Sequence, residues 1–314
     1  MKIVNLDGCS TNPGDLSWEP FYKYGDFTVY ERTAPDEIIE RAKDADVIII
    51  NKSIITNDML DMLPNLKYVG LQSTGYNVID VEEARRRGIV VSNIPAYSTN
   101  EVAQHVFALI LHTTNMVSLH NDAVHNGEWC SCPDFCFWKA PLTELNGKSI
   151  GIIGFGSIGK RVAEISKAFG MRVLVNTPHP DTSFDIEYVD FDVLLKESDF
   201  VTCHCPLNDN TKCLINASAL SKMKESAVLI NTSRGPVLDE YAVADALNSG
   251  KIKVACVDVL SVEPPSEDNP LLNAKNCIIT PHIAWAATET RARLLTILEE
   301  NLAAFLDGNP QNVV

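Results

Sequence analysis

The chain has 314 residues, 46% of them hydrophobic, and a formal net charge of −15. The length exceeds what one hydrophobic core normally serves, so two domains are expected, and the ordinary composition excludes extended disorder and fibrous repeats. The negative charge disfavours nucleic acid and anionic membranes as partners, and no apolar run approaches the roughly 20 residues of a membrane span.

Short apolar runs alternate with amphipathic stretches from residue 1 to about residue 99. The runs KIVNLD, DADVIIINKS, LKYVGLQSTG and GIVVSNIP predict strands, and PDEIIERAK and NVIDVEEARRRG predict helices between them. Strands that alternate with helices indicate a parallel sheet, because parallel neighbours are joined by crossover connections. This part of the chain is therefore predicted to be one α/β unit.

The segment from Asn100 to His120, NEVAQHVFALILHTTNMVSLH, predicts one long helix that is apolar around most of its circumference. Such a helix must be covered on several sides, either as a buried connection between domains or as a contact between subunits. A monomer would expose too much of its hydrocarbon surface, so the sequence predicts a homodimer. His105 and His112 on this helix are interpreted as core or interface residues.

An aromatic segment with three cysteines, WCSCPDFCFW, follows at residues 129–138. Cys130, Cys132 and Cys136 lack the C-x-x-C spacing and the matching His/Cys group of a structural zinc site, so no metal is predicted. The N-terminal segment lacks the apolar run of a secretion signal. The nine cysteines are therefore interpreted as reduced thiols of a cytoplasmic protein.

A second series of strands and helices begins near residue 145, with KSIGII, KRVAEISKAFG and RVLV. It continues through FVTCHCPL, SAVLINTSRG, VACVDVL and CIITPHIAW, and the last helix, in ATETRARLLTILEENLAAFLDG, is predicted to return to the first domain. The predicted fold is α/β, with two Rossmann-like or flavodoxin-like domains and parallel sheets. A nucleotide-binding domain (100–285) is inserted into a substrate domain (1–99 and 286–314).

A G-x-G-x-x-G motif, GFGSIG, lies between the strand KSIGII and the helix that follows it. In this setting Gly154 permits a tight turn, Gly156 lets the backbone approach a diphosphate, and Gly159 lets the helix pack closely on the strand. The diphosphate would bind the free N–H groups at the positive end of the helix, around Ser157 and Ile158. The motif predicts a nicotinamide dinucleotide cofactor.

The strand after this motif ends in VNTPH, without the acidic residue that usually binds the adenosine ribose. Thr177 at this position removes the main repulsion against a 2′-phosphate, but no arginine follows to attract one. NAD is therefore the predicted cofactor, and NADP stays an open alternative.

Three polar residues follow strands of the second domain. Arg234 comes after LINTS, Glu263 after CVDVLSV, and His282 after IITP. Because ligands of open α/β sheets bind beyond the carboxyl ends of the strands, all three are expected near the nicotinamide end of the cofactor. Taken singly, each residue is more often a surface or structural group, so the interpretation depends on the order of the motifs along the chain.

The motifs GFGSIG, NTSRGPVLDE, DVLSVEP and TPHIAW occur in that order and at suitable spacing, and nearly the whole chain resembles the D-isomer-specific 2-hydroxyacid dehydrogenases. Within that family, STGYNVID, PDFCFW and HIAWA resemble segments of glycerate dehydrogenases and hydroxypyruvate reductases. The resemblance implies hydride transfer between NAD(P)H and C2 of a small 2-oxo or D-2-hydroxy acid. Hydroxypyruvate and glyoxylate are the expected oxo acids.

The resemblance also implies roles for individual residues. Arg234 would bind the substrate carboxylate and carbonyl, His282 would exchange a proton with the carbonyl oxygen, and Glu263 would hydrogen-bond His282 and favour its charged form. Further substrate contacts are expected from Ser73, Thr74 and Gly75. Further cofactor contacts are expected from Thr74, Thr99, Cys205, Thr232, Ser233, Asp258, His282 and Ala284.

Two alternatives share the predicted scaffold. Formate dehydrogenases need no general acid and resemble this chain except for a glutamine in place of Glu263, so the acid disfavours that activity. Corepressors that sense NAD(H) have the same residue types at the positions of Arg234, Glu263 and His282, so these residues do not exclude a corepressor function. The chain ends soon after its last helix, without the regulatory tail that a corepressor is expected to carry.

Overall fold

The computed structural model describes all 314 residues. The chain packs into two compact units, each with its own sheet. The first unit comprises Met1–Ser98 and Trp285–Val314, and the second comprises Thr99–Ala284. The chain therefore leaves the first unit once and returns to it once.

The first unit contains a five-stranded parallel sheet in the order β2-β1-β3-β4-β5. This is the strand order of flavodoxin-like sheets. The strands are β1 (Lys2–Asn5), β2 (Asp26–Val29), β3 (Val47–Ile50), β4 (Tyr68–Leu71) and β5 (Val90–Ser92). The helices are α1 (Gly8–Thr11), α2 (Glu19–Tyr22), α3 (Ile38–Ala42), α4 (Asn57–Asp61), α5 (Val81–Arg86) and α12 (Thr288–Leu306), with a 3₁₀ turn at Pro35–Glu37.

Strand β3 has the sequence VIII because helices cover both faces of this sheet. On one face Ile48 and Ile50 pack into a cluster that α3, α4 and α5 complete. On the other face Ile49 and Tyr68 pack with residues of α12, including Leu298. The continuous apolar run of β3 is thus the expected pattern of a strand buried on both sides.

The second unit contains a seven-stranded parallel sheet in the order β12-β11-β10-β9-β6-β7-β8. The strands are β6 (Ser149–Ile153), β7 (Arg172–Asn176), β8 (Glu187–Tyr188), β9 (Phe200–Cys203), β10 (Val228–Asn231), β11 (Val254–Val257) and β12 (Cys277–Ile279). The helices are α6 (Thr99–Asn115), α7 (Val117–His125), α8 (Ser157–Ala168), α9 (Phe191–Glu197), α10 (Ala217–Lys222) and α11 (Glu240–Asn248), with 3₁₀ turns at Gly235–Val237 and Pro270–Asn273.

The strand order of the second sheet reverses between β6 and β9, as in a Rossmann fold. One face is covered by α9, α10 and α11, and the other by α6 and α8. The predicted α/β class with two parallel sheets is therefore confirmed. Strands β2 and β8 are additions that the sequence analysis did not predict. None of the helices combines the length and the apolar character that crossing a bilayer requires.

The prediction of one helix from Asn100 to His120 is wrong, because two helices occupy this segment. Helix α6 ends at Asn115, Met116 has a φ of 50°, and α7 begins at the next residue. A residue in the left-handed region cannot continue a right-handed helix, so α6 stops there without a proline or glycine. Most apolar side chains of α6, such as Phe107 and Ile110, lie in the core of the second unit. Helix α6 therefore does not expose the hydrocarbon surface from which a homodimer was predicted.

Candidate active site

The GFGSIG motif forms the turn after β6 and the first three residues of α8, at the point where the strand order reverses. Gly154 has a φ of 91°, and a Cβ atom there would lie 2.7 Å from backbone atoms of His204 and Cys205. A Cβ atom on Gly159 would collide with the carbonyl oxygen of Gly154. Glycine at these two positions therefore allows the turn to pack against the end of β9 and the helix to pack against the turn.

Gly156 is the N-cap of α8, and the space around it is open. Nothing lies within 4 Å of the position that its Cβ would occupy. The first N–H groups of α8, from Ser157 onward, have no acceptor within the helix, and the helix dipole makes this end positive. A dinucleotide diphosphate fits these residues, because it needs close backbone approach at Gly156 and N–H donors beside it.

The loop after β7 carries an ion pair that the sequence analysis missed. Lys160 of α8 bonds the Asp181 carboxylate at 2.6 Å and, together with Ser183, lowers the pKa of that carboxyl to about 2. The Thr177 hydroxyl, in the same loop, accepts a hydrogen bond from the His179 amide at 3.3 Å. Lys160 and Asp181 are 21 residues apart, so no local pattern could have indicated their pairing.

Glu263 and His282 lie in the loops after β11 and β12, which are neighbouring parallel strands. His282 Nδ1 and Glu263 Oε2 are 2.6 Å apart, and Glu263 Oε1 accepts a hydrogen bond from the Leu260 amide at 3.0 Å. A carboxylate can only accept, so Nδ1 carries the proton and Nε2 is left for another group. About a third of each side chain is exposed, 32% for His282 and 30% for Glu263.

Arg234 follows β10 and precedes the 3₁₀ turn at Gly235–Val237. A Cβ atom on Gly235 would collide with the backbone of Leu260, so glycine allows the loops after β10 and β11 to touch. One guanidinium nitrogen of Arg234 donates to the Ser233 carbonyl at 2.7 Å. The side chain is exposed and forms no ion pair, so its remaining donors are available to an anionic ligand.

Asp258, at the end of β11, is only 1% exposed. Its carboxylate accepts hydrogen bonds from the Thr280 hydroxyl at 2.6 Å and from the amides of Ile283 at 2.8 Å and Ala284 at 2.9 Å. All three donors lie in the short loop that carries His282. Asp258 therefore fixes this loop to the end of the neighbouring strand.

The other predicted site residues of the second unit also lie near strand ends. The Thr232 hydroxyl is buried without a hydrogen-bond partner, and the Ser233 hydroxyl donates to Asn231 Oδ1 at 2.8 Å. Cys205, after β9, is buried, which raises the pKa of its thiol. Thr99 is the first residue of α6. Apart from Thr99, the predicted residues of this unit thus share the carboxyl edge of one sheet.

Ser73, Thr74 and Gly75 belong to the first unit and follow β4. The Ser73 hydroxyl donates to the Gly75 carbonyl at 2.6 Å, and the Thr74 hydroxyl donates to the Ile94 carbonyl at 2.7 Å. Both hydroxyls are therefore engaged in holding this loop, and their predicted roles in binding remain predictions.

Comparison with known proteins gives consistent results. The family model described as "D-isomer specific 2-hydroxyacid dehydrogenase, NAD binding domain" matches residues 107–284. The whole chain is 47% identical to a hydroxypyruvate reductase of Blautia hydrogenotrophica, of which 99% is covered. It is 40% identical to a glycerate dehydrogenase of Methylorubrum extorquens, with 100% of this chain and 98% of the relative covered. An acyclic imino acid reductase solved with NADPH and D-arginine has a TM-score of 0.86 and 33% identity, with both chains fully covered.

A dinucleotide-binding turn at the switch point of a parallel sheet, together with an acid–base pair at the same edge, characterises a nicotinamide-dependent dehydrogenase. The chain belongs to the D-isomer specific 2-hydroxyacid dehydrogenase family. The predictions of an oxidoreductase in this family and of NAD as its cofactor are confirmed.

Proposed function

We propose that the protein reduces hydroxypyruvate to D-glycerate, and glyoxylate to glycolate, with NADH as the hydride donor. Two relatives that match the chain over its full length, at 47% and 40% identity, are a hydroxypyruvate reductase and a glycerate dehydrogenase. The observation that carries the chemistry is the 2.6 Å contact between His282 Nδ1 and Glu263, which leaves Nε2 to give a proton to a carbonyl oxygen.

In this mechanism Arg234 binds the carboxylate of the 2-oxo acid with paired N–H donors and orients C2. When bound, the nicotinamide supplies the hydride that adds to C2. His282 gives its Nε2 proton to the carbonyl oxygen in the same step, so a 2-hydroxy acid forms and the neutral imidazole regains its proton from water. Glu263 holds the Nδ1 proton and favours the imidazolium that reduction needs.

The contacts that the resemblance implies for Ser73, Thr74 and Gly75 with the substrate stay predictions. The same holds for the division into a substrate domain and a nucleotide-binding domain at residues 99 and 286. It also holds for the cofactor contacts of Thr74, Thr99, Gly154, Gly156, Ser157, Ile158, Gly159, Thr177, Cys205, Thr232, Ser233, Asp258, His282 and Ala284.

Neither alternative function is favoured. Glu263 hydrogen-bonds His282, an arrangement that supplies a general acid, which formate oxidation does not need. A corepressor would have this fold but would not need to catalyse a reaction. The two relatives named above, which match the chain over its full length, are enzymes.

The direct test is the oxidation of NADH by the purified protein with hydroxypyruvate, glyoxylate or pyruvate. We expect hydroxypyruvate to give the highest kcat/KM, glyoxylate a lower one and pyruvate the lowest. A protein that binds NADH but oxidises it with none of the three acids would contradict the proposal and favour a binding role.

NADH is proposed as the preferred cofactor over NADPH, by a modest factor. The end of β7 offers Thr177 and no acid, so a 2′-phosphate is not repelled there. The nearby Lys160 is already paired with Asp181, so it does not attract a phosphate strongly. Dissociation constants of NADH and NADPH measured side by side test this preference.

A homodimer is also proposed, through a surface that overlaps the predicted Asn100–His120 segment only at Val117 and Leu119. We define the 117–142 surface by its exposed apolar side chains, which are Val117, Leu119, Val124, Trp129, Phe135, Trp138 and Leu142. Phe135 is 88% exposed, and exposed aromatic side chains are enriched in subunit contacts. Sedimentation of a stable 34.6 kDa particle at micromolar concentration would exclude the dimer, and Phe135→Glu is expected to dissociate it.

The cytoplasm is the proposed location. All nine cysteines are free, which suits a reducing compartment. Cell fractionation with antibody detection tests this placement, and recovery from a secreted or periplasmic fraction would contradict it.

A further inference from the structure

A histidine that the mechanism above does not use lies behind the His282 loop. His105 of α6 places its Nε2 atom 3.1 Å from the Thr280 hydroxyl and 3.6 Å from Asp258 Oδ1. The side chain is 17% exposed. The Thr280 hydroxyl in turn lies 2.6 Å from Asp258 Oδ1. Helix α6, the end of β11 and the loop after β12 therefore meet in one chain of polar contacts.

The number of available protons determines the direction of the hydrogen bonds among His105, Thr280 and Asp258. Asp258 already accepts amide protons on both oxygens, from Ile283 and Ala284. A hydroxyl has one proton, and Thr280 gives it to Asp258 at 2.6 Å. The Thr280 oxygen must then accept from His105, so the His105 proton is on Nε2. The hydrogen bonds run from His105 to Thr280 to Asp258.

The loop that carries His282 needs contacts with neighbouring residues to hold its conformation. His282 has a φ of 55°, in the left-handed region that non-glycine residues rarely adopt. Such a conformation persists only where the surroundings impose it. The surroundings here are the Asp258 carboxylate, which binds the two amides that follow His282, and the Thr280 carbonyl, which accepts from the His282 amide at 2.9 Å.

We propose that His105 is a positioning residue for His282, acting through Thr280 and Asp258. The Nε2 proton of His105 fixes the rotamer of the Thr280 hydroxyl, and the hydroxyl then holds the Asp258 oxygen that anchors the His282 loop. His105 touches neither substrate nor cofactor in this role. The proposal rests on the proton-transfer role given to His282 in the proposed function.

The kinetic test compares two substitutions of His105. His105→Leu removes the donor, and we expect kcat for hydroxypyruvate reduction to fall by about three- to tenfold, the factor that one net hydrogen bond is worth. NADH binding should be retained, because the diphosphate site at the glycine turn is untouched. His105→Gln retains an amide donor near the Nε2 position and should restore kcat to within about twofold of the unmodified enzyme.

A double-mutant cycle shows whether His105 and Thr280 affect kcat through one series of hydrogen bonds or independently. Thr280→Val removes the middle hydroxyl at nearly constant volume, and it should lower kcat at least as far as His105→Leu does. If the groups act in one chain, the double variant should lose no more than Thr280→Val alone. Losses that multiply would overturn the proposal, as would a failure of His105→Gln to recover activity while its melting temperature matches that of the unmodified enzyme.

A spectroscopic measurement on the unmodified protein tests the hydrogen bonds from His105 to Asp258, and it needs no enzymatic turnover. In ¹⁵N-histidine-labelled protein at alkaline pH, the His105 ring, assigned by comparison with His105→Gln, should show the tautomer protonated at Nε2. The Nδ1-protonated tautomer would refute the hydrogen-bond direction. If the unmodified protein fails to reduce any oxo acid, the proposed function fails, whereas the tautomer still decides for or against the relay.

Discussion

Replacing Glu263 by glutamine tests the acid–base pair most directly. Reduction needs a protonated His282, and the neighbouring carboxylate favours that charge from a distance of 2.6 Å. Glu263→Gln keeps an oxygen that can accept from Nδ1 but removes the negative charge. Without this charge partner the protonated ring is less favoured. Reduction, which needs the protonated ring, is therefore expected to slow, and oxidation, which needs the neutral ring, is expected to slow less.

The expected size of the effect follows from the contact and the exposure of the pair. A hydrogen bond to a charged group contributes about 1.5 to 3 kcal/mol. The two side chains are 32% and 30% exposed, so water screens part of their attraction. We therefore expect a loss at the lower end of this range, which corresponds to a kcat for reduction that is about tenfold lower.

The assay is the initial rate of NADH oxidation with saturating hydroxypyruvate across the neutral and alkaline range, for the unmodified enzyme and each variant. Glu240→Gln provides a matched control, because Glu240 binds the Ser261 amide and Asn269 in the same loop region but does not contact His282. An unchanged rate of reduction in Glu263→Gln, or an equal loss in Glu240→Gln, would refute the assignment of Glu263 as the charge partner.

Three further predictions address the proton donor, the cofactor and the acid limit of stability. His282→Ala should lower kcat by about a hundredfold or more, the usual contribution of general acid catalysis, while NADH binding measured by fluorescence titration is retained. A normal kcat would eliminate His282 as the proton donor. Thr177→Asp should raise the ratio of the NADPH dissociation constant to the NADH dissociation constant by about tenfold, because a carboxylate at the end of β7 repels a 2′-phosphate. A ratio equal to that of the unmodified protein would show that Thr177 does not face the ribose. Burial lowers the pKa of His204 to about 3 in the folded protein. In the unfolded chain a histidine takes up its proton near pH 6.5. Protonation of His204 therefore favours the unfolded chain, and the free energy of unfolding decreases as pH falls below about 6.5. His204→Gln, which can still bond Thr202, should therefore show a smaller drop in melting temperature between neutral pH and about pH 5, and calorimetry of the two proteins checks this.

Regular patterns in the sequence predicted the scaffold because each pattern has a local cause. The apolar run at β3 and the glycine turn before α8 depend on neighbouring residues, so they could be recognised without a structure. Positions after strands also follow from local pattern, which is why Arg234, Glu263 and His282 were candidates. Their placement at one sheet edge follows from parallel strands alone.

Features that depend on distant residues could not be predicted in this way. The pairing of Lys160 with Asp181 and the contact of His105 with Thr280 join residues on separate elements, and only folding reveals them. The break at Met116 has no proline or glycine to announce it. Strand β2, DFTV, is only four residues long and lies at the edge of its sheet, so its weak alternation escaped recognition.

The position of α12 has a consequence for how the protein is made on the ribosome. This helix supplies Leu294, Leu298 and Leu302 to the core of the first unit, yet it is translated after the entire second unit. The second unit is continuous in sequence, so it can close its own core as soon as it emerges. The first unit begins emerging first and closes last. Until α12 is released, the nascent chain carries an uncovered apolar sheet face, with Ile49 and Tyr68 at its centre, of the kind that chaperones bind.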